Sequence, residues 1–214
     1  AYNVAVGYAA GLKITTGIQN SLIGGTTGDA LTTGSYNTAF GISALTRDTA
    51  GSKSVAIGTT ALAYQNFTSA TDALNTAVGH AAGLSITTGT GNTFVGGLAG
   101  DATDDGVGNT AVGYNSLSAN AANYNVAIGH ESLVACTGTN NTSVGVVAGS
   151  SLTSGSNNIF IGRDAGVTGS PGGNITTASN EIGLGDENIS AANIQVDWTV
   201  ASDQRDKTDF TALD

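Results

Sequence analysis

The chain of 214 residues holds 32 Gly, one Pro, no Met and only 6% aromatics, so it lacks the large side chains that fill a thick globular core. Charged residues make up 10%, which excludes a self-repelling disordered segment. The net charge of −10 leaves no basic surface for nucleic acid and no attraction to anionic lipid, and no apolar run reaches the roughly 18 residues of a membrane-inserted helix.

From Asn3 the sequence reads NVAVGYAAG, and the same positions return as NTAVGHAAG from Asn75 and NTAVGYNSL from Asn109. The repeat is anchored by a Gly after a β-branched, aromatic or Leu residue: Gly7, Gly24, Gly41, Gly58, Gly79, Gly96, Gly113, Gly129, Gly145, Gly162 and Gly185. Eight of the steps are 16 or 17 residues; those to Gly79 and Gly185 are 21 and 23. Near-constant spacing predicts a solenoid, with the long steps as bulges at 64–73 and 168–173. Two or more Gly per repeat, each costing about 1 kcal/mol in a helix interior, exclude a helical repeat. The expectation is an all-β, parallel β-solenoid or β-roll of about eleven coils with a 17-residue period, each coil built from two short strands and two corners.

Within a copy, the residue before the anchor is large and apolar (Val6, Ile23, Phe40, Ile57, Val78, Ile128, Leu184), which predicts an inward core column. The residue two before it is mostly small (Ala5, Ala39, Ala56, Ala77, Ala111, Ala127), which predicts an outer face packed against another subunit. Four before the anchor stands Asn in every copy from Asn3 to Asn158 except Ser54, a predicted hydrogen-bonded ladder. Gly17, Gly34, Gly51, Gly89, Gly106 and Gly155 mark the second corner. A rod one side chain thick buries too little surface alone, so a parallel homotrimer is expected.

The NTAVG-type unit resembles the repeats of trimeric bacterial adhesin heads, which are left-handed parallel β-rolls, and more closely those of phage tail fibres. Farther on, Trp198 to Lys207 resembles the junction at which an endosialidase-type intramolecular chaperone begins in tail fibres and spikes. The resemblance implies that Ser202 ends the mature fibre and Asp203 starts the released chaperone. It places Arg205 and Lys207 at the two basic positions, with Asp206 where an apolar residue is usual. Lys207 would then be the base that activates the Ser202 hydroxyl for self-cleavage. The domains expected are a repeat shaft or head at 1–185, a transition at 186–202 and the start of the chaperone at 203–214. The chain opens inside a repeat without Met and is read as a segment of something longer.

Other residues read as structural. His80 and His130 share the position after the anchor with Tyr8 and Tyr114 and are read as rim side chains. Asp101, Asp104 and Asp105 fit no calcium loop, Cys136 has no His partner, and the pairs at Gly24 and Gly96 precede no helix that could bind a phosphate. No cofactor or metal is called for. The function expected is a structural and adhesive segment of a viral tail fibre, located in the virion, with a host surface receptor, glycan or protein, as partner. A bacterial surface adhesin head is the alternative. Behind it stand an ice-binding solenoid, suggested by Thr15-Thr16, Thr32-Thr33 and Thr87-Thr88, and a glycan depolymerase, which would need paired carboxylates.

Overall fold

The computed structural model describes residues 2–170 and 172–191. These form a parallel β-solenoid with a period of about 17 residues and no helix among them. Its strands are β1 (Val4–Val6), β2 (Ser21–Ile23), β3 (Thr38–Phe40), β4 (Gly51–Ser52), β5 (Val55–Ile57), β6 (Thr71–Asp72) and β7 (Thr76–Val78), followed by β8 (Thr93–Val95), β9 (Thr110–Val112), β10 (Val126–Ile128), β11 (Thr142–Val144), β12 (Ile159–Ile161) and β13 (Ile182–Leu184). Eleven of them stack in one sheet in sequence order, while β4 and β6 pair alone. The turns number about nine, slightly fewer than the eleven repeat copies.

Each regular coil carries one strand of the main sheet, not the two expected. The reason lies in the backbone after the anchor glycine. Residues two and four past it, such as Ala81 (φ 54) and Gly83 (φ 59), are left-handed, and alternating signs of φ cannot build a second strand. Turns replace it, and they still stack: Gly83 donates its N–H to the carbonyl of Ala99 at 2.9 Å, one coil on. At the anchor, Gly79 has φ +142, and a Cβ there would run into the backbone carbonyl of Gly96 above it. Only glycine satisfies both the dihedral and the stacking distance.

The Asn ladder forms as expected. The backbone N–H of Asn92 donates to Asn75 Oδ1 at 2.9 Å, and Asn92 Nδ2 donates to the carbonyl of corner residue Gly106 at 2.7 Å. Each buried Asn thus ties its coil to the one before it and closes its own corner. Corner glycines are needed because a Cβ on Gly89 would meet the carbonyl of Gly106.

The strand faces are the reverse of the expectation. The column read as outer, Ala39, Ala56, Ala77, Ala111 and Ala127, is fully buried or nearly so. The column read as core is turned to solvent: Phe40 is 56% exposed and Ile128 39%. Volume explains it. The thin interior is already filled from the turn side by Leu45, Leu62, Leu117 and Leu133, four residues past the anchor, and by Leu31, Ile86 and Leu152 seven past it. The strands can then contribute little more than a methyl.

Where the strand residue is bulky, the turn gives way. Phe94 lies against Gly83 and Gly100, and Phe160 against Gly149, Gly166 and Gly183; a Cβ on Gly83 would come within 2.9 Å of the Phe94 ring. Conversely, Leu45 and Leu62 accompany Ala56, and Leu117 and Leu133 accompany Ala127. Large and small residues therefore trade places coil by coil at constant core thickness.

The insertion between β5 and β7 is held by polar groups. Gln65 and Asp48 are buried, and Gln65 Nε2 donates to Asp48 Oδ2 at 2.5 Å and to Ser54 Oγ at 3.1 Å. Lys53 pairs with Asp72 at 2.6 Å on the surface, and the Arg47 guanidinium lies 4.0 Å over the Tyr64 ring. The exposed ion pair contributes little, so the buried network anchors the loop.

Candidate functional site

From β2 to β12 the three-residue strands of the main sheet bury their middle side chain and turn their first and third outward, because side chains alternate along a strand. The first is often Thr, while the third is apolar in every strand of the main sheet. Strict parallel register stacks these third residues: Ile23 beside Phe40, Phe40 beside Ile57, Ile57 beside Val78, and on through Ile128, Val144 and Ile161 to Leu184. The result is an apolar ridge along the whole described rod, on the order of 50 Å at ~4.8 Å per strand. A contiguous exposed apolar strip of this length makes the ridge the candidate site.

One step past the anchor glycines runs a rim column: Tyr8, Gly25, Ile42, Thr59, His80, Gly97, Tyr114, His130, Val146 and Arg163. Its register is fixed by backbone bonds, since Leu98 N–H donates to the His80 carbonyl and Glu131 N–H to the Tyr114 carbonyl, both at 3.0 Å. Tyr114 and His130 stack with ring centroids 5.5 Å apart and planes 28° off parallel. Both histidines are exposed rim residues, as the sequence suggested.

The acidic residues are engaged locally. The Ser118 hydroxyl donates to Asp101, the Thr87 hydroxyl donates to Asp104, and the Asp104 N–H donates to Asn120 Oδ1 at 3.0 Å. Among the described residues, no three or more His, Cys, Asp or Glu come together to hold a metal ion. Cys136 is buried, and burial pushes its thiol pKa up, so it stays protonated and unreactive. A side-chain hydrogen bond from Asn188 holds the Asp186 carboxyl below its ordinary pKa.

Thr hydroxyls of the second corner point along the rod axis. Thr32 Oγ1 donates to the carbonyl of Thr49 at 2.9 Å, and Thr137 Oγ1 to that of Thr153 at 2.9 Å. Near the second insertion a groove of about 250 Å³ is lined by Asn174, Ile175, Thr176 and Ile182, with Glu181 as its one carboxylate. Ser202 and Asp203, expected from the resemblance to flank a cut, lie outside the described residues with Arg205, Asp206 and Lys207.

The outward ridge and the stacking of Tyr114 on His130 are what the sequence reading missed. A single period-2 strand does not say which of its faces is inside. The signal that could have found the ridge was the reciprocal size of Phe94 and its flanking glycines, which ties the middle residue to the core. No protein-family model, curated protein or solved structure matches the chain.

Proposed function

We propose that the chain is a structural and adhesive segment of a viral tail fibre, assembled as a parallel homotrimer and carried on the virion. The observation behind it is the outward apolar ridge from Val6 to Leu184. Val6 and Phe40 are each 56% exposed and Ile161 49%, leaving apolar surface that a partner could cover. A surface that repeats at the strand spacing is matched best by another surface with the same repeat, namely a second and third copy aligned in parallel. The trimer expected from the sequence keeps its rationale but changes its seam, from the Ala column to the Val, Ile and Phe column.

The resemblance of Trp198–Lys207 to the chaperone junction supports the tail-fibre reading over a bacterial adhesin head, and with it self-cleavage between Ser202 and Asp203 with Lys207 as base. Thr hydroxyls already committed to carbonyls along the axis argue against an ice-binding array. A groove with one carboxylate argues against glycoside hydrolysis there, which needs two.

Expression of the whole gene tests the reading. A fibre fragment ending at Ser202 in the intact mass, lost on Ser202→Ala and slowed or stopped by Lys207→Ala, is the expected result. An uncut product, or a cut elsewhere, removes the fibre junction from the account.

A further inference from the structure

Two glycine pairs, Gly24-Gly25 and Gly96-Gly97, interrupt the rim column. Gly25 and Gly97 are not left-handed, and a Cβ there would meet nothing within 4 Å at Gly25 and only Tyr114 Cδ2 at 3.6 Å at Gly97. The fold therefore does not require glycine at either position, in contrast to the anchor glycines beside them. Each bare position lies between bulky rim residues one coil before and one coil after: Tyr8 and Ile42 around Gly25, His80 and Tyr114 around Gly97.

The second gap is a built socket. Residues two coils apart stand about 9.6 Å apart along the axis, and a ring packed face to face between two others needs about 7–8 Å. Tyr114 is held in place by stacking on His130 and by the Glu131 N–H bond to its carbonyl, which leaves its other face toward Gly97. It remains 52% exposed. One coil beyond Tyr114, the partly exposed Glu131 carboxylate lies 4.0 Å from His130 Nδ1. A fixed aromatic face over a vacant floor suits a flat ring with an apolar face and hydroxyl edges, and the Glu131 carboxylate one coil on disfavours an anionic one.

We infer that the gap over Gly97, between His80 and Tyr114, binds a pyranose ring of a neutral glycan. The inference rests on the adhesive reading above and gives it a receptor class. The net negative charge of the protein disfavours acidic polysaccharides.

The test screens the whole chain against immobilised neutral oligosaccharides of hexoses and N-acetylhexosamines. The strongest binder is then titrated while the ring protons of Tyr114 and His130 are followed. Expected are ring-proton shifts on binding, a loss of affinity of about tenfold or more in Gly97→Leu and in Tyr114→Ala, and near-full affinity in Tyr114→Phe. Melting temperature and native mass should stay those of the wild type in all three, because the floor is open within the chain. No binder in the panel, or unchanged affinity in Gly97→Leu, overturns the site. A lower native mass in Gly97→Leu also overturns it, since a neighbouring copy would then occupy the gap. The titration reads the socket in whatever oligomer forms, so its failure is distinct from failure of the fibre reading, which shows in the native mass of the wild type.

Discussion

Asn75 Nδ2 donates to Gln65 Oε1 at 2.9 Å, so a residue of the first insertion supplies the acceptor that the missing ladder Asn at position 54 would have offered. In the regular coils that acceptor is the Oδ1 of the preceding Asn, as for Asn92 on Asn75. The insertion and the Ser54 substitution are thus one feature: the bulge carries its own repair. Gln65→Ala leaves Asn75 Nδ2 with fewer partners and removes a donor from Asp48 and Ser54. We expect a loss of about 2–4 kcal/mol, since each unsatisfied buried polar group costs about 1–3 kcal/mol. Denaturant titration reads it, and a loss below that of an exposed control such as Asn66→Ala would contradict the ladder repair.

The inverted faces give opposite outcomes for two substitutions. Ala77 is fully buried, so Ala77→Trp overfills the coil and should unfold it or cost well over the usual 1–3 kcal/mol of overpacking. Ile128 faces outward, so Ile128→Asp should leave the strand signal in circular dichroism while lowering the native mass. Intact association in Ile128→Asp would remove the ridge as the seam.

Core thickness should be transferable between turn and strand. Phe94→Ala opens a cavity and should cost about 3–5 kcal/mol, and Gly100→Leu alone should clash with the Phe94 ring. Together they reproduce the arrangement of Ala56 and Leu62, where Leu adopts φ 49 at the equivalent position. The double variant is expected to be more stable than either single one. Thermal melts of the three variants measure the coupling.

Thr103 occupies a core position filled elsewhere by Ile86 and Leu152, and its buried hydroxyl has no hydrogen-bond partner among the described residues. Thr103→Val removes that burden at equal shape and should stabilise the protein by about 1–2 kcal/mol. A destabilised variant would reveal a partner for the hydroxyl.

The sequence made the solenoid legible wherever a residue type was forced by the backbone. The Asn at the ladder, the anchor glycines and the two long steps each correspond to a feature of the coil. It concealed what depends on volume alone. Val-Ala-Val fits a strand with either face inside, and Ala77 and Val78 both satisfy β-strand patterning. The decisive clue was relational, for only a residue that shares the core with Gly83 and Gly100 could afford to become Phe94. Left-handed positions such as Ala81 and Leu98 were hidden for another reason, since neither residue type announces a positive φ.

The central claim is that the apolar ridge is an interface between parallel copies. Light scattering on the chromatographed wild-type chain tests it most directly. A native mass of three times the 21.0 kDa of one chain, falling in Ile128→Asp, is the predicted result. A folded wild-type monomer of 21.0 kDa with the ridge left in water would contradict it.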